Sequence, residues 1–155
     1  MHVSRALAMF ATISLIGVAC CDDNTTGIPA GLEVYTASLN GANERLTPVT
    51  TTARGTAIVT VLGNQLSWKV DITAAIDSVS AGHIHHAPID SAGPVRVNFN
   101  VTQTGPGITG TITQGSFTLT GDSVQTWLHQ GNAYVNIHTK ANPGGEIRGQ
   151  LQRVQ

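Results

Sequence analysis

Six histidines stand in a chain of 155 residues of which only 11% are charged. Four of them fall in two short stretches, "AGHIHHAP" with His83, His85 and His86, and "YVNIHT" with His138. In a strand, residues two apart project to the same side, so His83 and His85 share a face while Ile84 points to the other. His-x-His on a strand can present two imidazoles to one metal ion, and His138 is the candidate for a third ligand. Three neutral imidazoles suit one Cu or Zn ion and leave a fourth position open. The same motif also occurs as a pair of surface or hydrogen-bonded histidines. His86 points away from His85 and is expected to be exposed. His129 ends a short helical pattern, where a cation favours the helix dipole, and reads as a capping or surface group.

Metal-bound imidazoles usually donate their second N–H to a carboxylate or a carbonyl. Glu146 and Arg148, two apart in "GEIRGQ", and Glu44 in "GANERLTPV" are the charged residues that could give such support. Glu146 and Arg148 read equally well as a plain salt bridge. Nucleophilic catalysis of the Ser-His-Asp kind fits poorly, because no Gly-x-Ser-x-Gly elbow is present. No Gly-rich loop opens a helix, which argues against nucleotide binding. A net charge of −1 without a basic run argues against a nucleic-acid partner.

The elements that must position these side chains are strands. Thr, Val, Ile and Gly are abundant and aromatics are only 5%, a balance that favours strands and turns over helices. "LEVYTASLNG" alternates and ends in a turn signal. "ANERLTPVTT" reads as a loop. "ARGTAIVTVLGNQLSWKVDIT" reads as a hairpin, with Ala57, Val59 and Val61 on one face and Leu66, Trp68, Val70 and Ile72 continuing it. "GPVRVNFNV" places Val95, Val97 and Phe99 on one face, and "GITGTITQGSFTLTG" supplies one or two strands. "DSVQTWLHQG" breaks the pattern as a short helix around residues 123–130, capped by Asp122 or Ser123 and stopped by Gly131, with Trp127 and Leu128 packing inward. "NAYVNIHT" and "GEIRGQLQRV" close the chain as strands around an Asn-Pro-Gly-Gly turn. The expected fold is all-β: an antiparallel Greek-key sandwich or flattened barrel of about seven or eight strands with one short helix.

The N-terminus reads as an export signal. His2 and Arg5 precede the apolar run "ALAMFATISLIGVA", too short for a comfortable membrane span. The small residue before Cys20 resembles the lipobox of bacterial lipoproteins, in which the Cys thiol is lipidated and anchors the protein to a membrane. Cys20 is the expected acceptor and Cys21 the other candidate, although Gly17 stands where Leu is usual. A buried N-terminal helix and plain secretion are the alternatives. Both cysteines lie at this junction, so the body of the protein is expected to fold without a disulfide. The expected division is a signal and lipobox region at 1–20, a polar tether at 21–31 and a β domain at 32–155.

The segments "NGANERLTPVTTTARGTA", "AGHIHHAP", "GPVRVNFN" and "GNAYVNIHTKANPGGEIRGQL" resemble the CHRD domain, named from chordin and found in bacterial exported proteins. The resemblance covers about residues 32–152, and "NERLTPV" departs from the usual "NEVPPV" while keeping Glu44. It implies a β-rich domain without an established activity; the expected function is a binding module at the cell surface, toward a surface or matrix partner. A fainter similarity is to copper/zinc superoxide dismutase. His83 and His85 are followed by "SAGPVRVNFN", and "VNIHTKA" with His138 is similar to a later copper-ligand segment of that enzyme. Arg148 would correspond to its arginine near copper. Val95 stands in place of the bridging histidine, and the further zinc ligands and the structural cysteines have no counterpart. This similarity implies at most a mononuclear three-His site and, as the alternative function, a metal-dependent redox enzyme.

Overall fold

The computed structural model describes residues 28–121 and 123–155. The segments assigned above to the signal, the lipobox, Cys20 and Cys21, and most of the tether, lie outside the described residues, as does the candidate cap Asp122. The elements in chain order are β1 (Glu33–Asn40), a 3-10 turn (Gly41–Asn43), β2 (Arg54–Leu62), β3 (Gln65–Ile76), β4 (Val79–His86), β5 (Val95–Phe99), β6 (Ile108–Thr118), α1 (Ser123–His129), β7 (Ala133–Thr139), β8 (Ile147–Gln150) and β9 (Gln152–Arg153). They form one antiparallel sheet in the order β5-β4-β7-β8-β1-β2-β3-β6, with β9 pairing β1. Its two ends approach each other. Thr102, just beyond β5, donates its backbone N–H to the carbonyl of Ile112 in β6 at 2.9 Å, so the sheet curls into a nearly closed barrel. The fold is the all-β, barrel-like arrangement with one short helix that the strand pattern predicts.

The alternation of apolar residues decides which side of each strand faces inward. Ala57, Val59 and Val61 of β2 and Leu66, Val70 and Ile72 of β3 are almost fully buried and join Tyr35, Leu39, Ile84, Val97, Ile112, Val135, Ile137 and Ile147 in one core. Gly63 takes φ +58° in the two-residue turn between Leu62 and Gln65, a conformation that costs glycine little. "GITGTITQGSFTLTG" forms a single long strand, β6, which lies along β3.

Three expectations change. Val95 is 39% exposed while Val97 and Phe99 are buried, because the register between β4 and β5 shifts between Ile84 and His85 and breaks the alternation there. Glu146 and Arg148 form no ion pair. Glu146 precedes β8 at a bend made by Gly145, so the two-residue strand period does not apply to it. His86 is not free in solvent, since its ring stacks on Trp127 with centroids 4.1 Å apart.

Helix α1 caps one end of the barrel. Leu128 is buried, and Gly131 at φ +68° ends the helix. Trp127 is only half-buried, between His86 and the Arg96 guanidinium 4.6 Å from its ring. His129 and Gln125 both donate to Glu33 Oε1, at 2.8 and 3.2 Å. These bonds tie the helix to the start of β1; burial raises the Glu33 pKa, but the Tyr35 hydroxyl, His129 and Gln125 together hold it below the ordinary value.

The two tryptophans should therefore respond differently to truncation. Trp68 is 8% exposed, stacks on Phe99 at 4.8 Å and donates its indole N–H to Thr113 Oγ1 at 3.1 Å. Trp68→Ala should cost about 3–5 kcal/mol in urea unfolding. Trp127→Ala, which removes contacts at a half-exposed ring, should cost about 1–2 kcal/mol. Equal losses would contradict this assignment of core and rim.

Candidate metal centre

Strand β7 lies between β4 and β8, and every residue from Ala133 to Thr139 is buried. Val135 and Ile137 point into the core. Tyr134, Asn136 and His138 point to the outer wall, yet they too are covered. The segments 44–53, 87–94 and 140–146 supply the cover: Arg148 on β8 donates to the carbonyls of Ser91 and Pro88 at 2.7 and 3.2 Å, Asn136 donates to Glu44, and His138 bonds Pro143. A polar layer is thereby enclosed between barrel and loops.

The three histidines singled out by spacing meet in this layer. His83 pairs with Asn136 across β4 and β7, and Ala81 pairs with His138. His138 is thus the diagonal neighbour of His83, within side-chain reach on a common face. One ligating nitrogen from each of His83, His85 and His138 lies within 4.8 Å of the others. The ring centroids are 4.8 Å apart for His83 and His138, 5.4 Å for His83 and His85, and 5.8 Å for His85 and His138. His86 and His129 are not part of this group; they belong to the helix-capped end already described.

Hydrogen bonds fix which nitrogen of each ring carries the proton. A carbonyl can only accept, so His85 Nδ1–H donates to Gly93 O and His138 Nδ1–H donates to Pro143 O, both at 2.9 Å. In the neutral rings this leaves the lone pairs on Nε2. His138 Nε2 accepts from His83 Nδ1 at 3.0 Å. His85 Nε2 is buried and has no hydrogen-bond partner. Burial depresses the pKa of all three histidines and brings His83 down to about 4, with the nearby imidazoles of His138 and His85 adding to its shift. The rings are therefore neutral at neutral pH, the state in which imidazole ligates a metal.

The support for these rings is only partly what the charged residues suggest. Backbone carbonyls of Gly93 and Pro143 occupy the positions that sequence reasoning offered to Glu44 and Glu146. Glu146 Oε2 instead accepts from Thr139 Oγ1 at 3.0 Å and from the Asn142 amide, which holds the turn that carries Pro143. Glu44 is 5% exposed and accepts from Asn136 Nδ2 at 3.3 Å. Burial pushes its carboxyl up to about 7, against the opposing pull of the Asn136 bond and the charges of Arg148 and Arg45. Gly145, at φ +138°, lies against both groups: a Cβ there would stand 2.5 Å from Asn136 Nδ2 and 2.7 Å from Glu44 Oε1. Arg148 bonds no imidazole. Its guanidinium lies 3.5 Å from the centroid of Tyr134, whose ring stacks on His85 with centroids 4.8 Å apart and planes within 8°.

Sequence spacing did not point to Tyr134 or Gly93. Gly93 is clamped from both sides, its N–H donating to Tyr134 Oη at 3.2 Å and its carbonyl accepting from His85. A Cβ on Gly93 would stand 1.9 Å from the His86 carbonyl oxygen, so no larger residue fits without moving the loop. The signal was present as "AGP" a few residues beyond the His-x-His strand, and Tyr134 sits four positions before His138, on the same face of β7.

A three-imidazole centre on an outer barrel wall, closed by the loops after β4 and before β8, is the arrangement to set beside known proteins. The CHRD domain model matches residues 35–151, about three quarters of the sequence. No curated protein and no solved structure matches the chain. The matched span runs from β1 to the residue after β8 and contains all three histidines, both carbonyls that orient them and the turn before β8: by that match, the chain belongs to the CHRD domain family.

Proposed function

We propose that this CHRD domain is an extracytoplasmic binding module that holds one Cu or Zn ion on His83, His85 and His138. The observation that carries this reading is the buried Nε2 of His85, a lone pair with no partner, directed by a fixed tautomer and accompanied by the Nε2 of His138. A buried acceptor left unmade costs about 1–3 kcal/mol. A metal ion satisfies it. An ion about 2.1 Å from each nitrogen needs the nitrogens roughly 3.4 Å apart in tetrahedral geometry, so nitrogens within 4.8 Å of one another would have to draw closer to hold it. His83, the most accessible of the three, would release its bond to His138 Nε2 and would ligate through whichever ring nitrogen is left unprotonated. Neutral imidazoles without thiolates or carboxylates suit copper and zinc and leave room for one exogenous ligand.

A redox enzyme uses the same three nitrogens in the alternative reading. Arg148, the residue that reading would place beside the metal, is committed to the carbonyls of Ser91 and Pro88, and the binding role stands ahead of it. Export and anchoring through Cys20 complete the proposal, on the strength of the apolar run that ends in Ala-Cys.

Untagged protein should contain Cu or Zn at one equivalent. Alanine at His83, His85 or His138 should each lower affinity by at least about 100-fold, and His86→Ala and His129→Ala should leave it unchanged. Gly93→Ala, which displaces the acceptor of His85, should weaken binding about 10–100-fold without removing a ligand. Metal content unaffected by the triple His83/His85/His138 substitution would overturn the metal reading. One equivalent of copper together with catalytic turnover of superoxide would favour the enzyme.

Cys20→Ala should shift the protein from the detergent phase to the aqueous phase of a detergent partition, whereas Cys21→Ala should not. Identical partition of wild type and Cys20→Ala, with loss only in the Cys21 variant, would move the anchor by one residue. No change in either variant would remove it.

A further inference from the structure

Beside the histidine layer, on the same outer wall, a cleft of about 230 Å³ opens between β1, β8, β9 and the loop at Ile89. Arg45 and Arg148 both line it, and no carboxylate does. Arg148 is 2% exposed. Buried charges are normally paired, yet the ion pairs among the described residues join Lys69 to Asp71 and His129 and Arg153 to Glu33. Neither Arg45 nor Arg148 takes part. The guanidinium of Arg148 is held by carbonyl oxygens, by Gln150 Oε1 at 3.4 Å and by the Tyr134 ring. Its pKa is lowered by burial, against Tyr134, with the charge of Arg45 adding to the lowering. Glu44 offsets that charge from nearby, but its own carboxyl is held up near 7.

The cleft also holds spare donors. Arg45 donates through Nε to Ile89 O at 2.7 Å and through Nη1 to the carbonyls of Ala42 and Glu44, which orients its side chain and leaves Nη2 uncommitted. The hydroxyl of Ser38 and the amide of Gln152 line the same cleft and donate no side-chain hydrogen bond. Two cations, uncommitted N–H and O–H groups and no carboxylate in the lining form a constellation that takes a negative charge. Planar guanidinium forks favour oxyanions.

We infer that the Arg45–Arg148 cleft binds a small oxyanion, a free carboxylate or sulfate, independently of the metal centre. The anion would neutralise the buried guanidinium and accept from Arg45, Ser38 and Gln152.

The test is an NMR titration of the full chain with sodium acetate and with sodium sulfate at constant ionic strength, read at the arginine Nε–H resonances. The Arg45 and Arg148 signals should shift and saturate in the millimolar range, while those of Arg54 and Arg96 stay in place. Arg45→Gln keeps the neutral amide donor but not the charge, and should weaken binding about ten-fold or more, the loss of one charge-assisted hydrogen bond. His83→Ala should leave anion affinity intact, so failure of the metal reading would not be mistaken for failure of this one. Shifts that never saturate, shifts shared by Arg54 and Arg96, or unchanged affinity in Arg45→Gln would each overturn the inference.

Discussion

The arrangement depends on one constraint: β7 is buried on both faces. Its inner face needs only Val135 and Ile137, which fill the barrel. Its outer face carries a phenol, an amide and an imidazole, and loops exclude water from them. Each polar atom there must find a partner within the protein or remain unsatisfied. Most find one. The carbonyls of Gly93 and Pro143 take the Nδ1 protons of His85 and His138, and Glu44 takes the amide of Asn136. Among the described residues, the buried side-chain atoms without a partner, His85 Nε2, Glu44 Oε1 and Asn136 Oδ1, all sit in this layer. A layer of this kind stabilises less than an apolar one would, and its value lies in orienting lone pairs.

The loops that close the layer are held by the groups they cover. Arg148 reaches from β8 to the carbonyls of Ser91 and Pro88, and Tyr134 holds Gly93. Glu146 fixes the turn that presents Pro143 through Thr139 and Asn142. The imidazoles of His85 and His138 therefore stand on strand positions with their second nitrogens tied to backbone that is itself tied down, and His83 bonds His138. His85 and His138 are thereby oriented in advance, and the adjustment that a metal would require falls on His83.

Much of this was legible in the sequence because it depends on period. Alternation in "ARGTAIVTVLGNQLSWKVDIT" identified a hairpin with one face inward, and the two-residue spacing of His83 and His85 put both rings on one side. His138 follows from β4 and β7 being neighbours, which spacing suggests but does not prove. What stayed hidden depends on irregular backbone. The shift between Ile84 and His85 exposes Val95, and the bend at Gly145 removes Glu146 from the strand period. The choice of carbonyls over carboxylates as acceptors for the histidines is set by loop paths, for which side-chain types carry no code. Stacking of His86 on Trp127 likewise required knowing where α1 lands.

Two chemistries of opposite sign share this outer wall. Three neutral imidazoles offer lone pairs at one end, and two guanidiniums offer N–H groups at the other. Tyr134 stands between them, stacked on His85 and covered by Arg148. Burial lowers the pKa of His85, against the opposing bond to Gly93, and His138 and the charge of Arg148 add to the lowering. A cation on the histidines would face the same repulsion from Arg148 that a proton does.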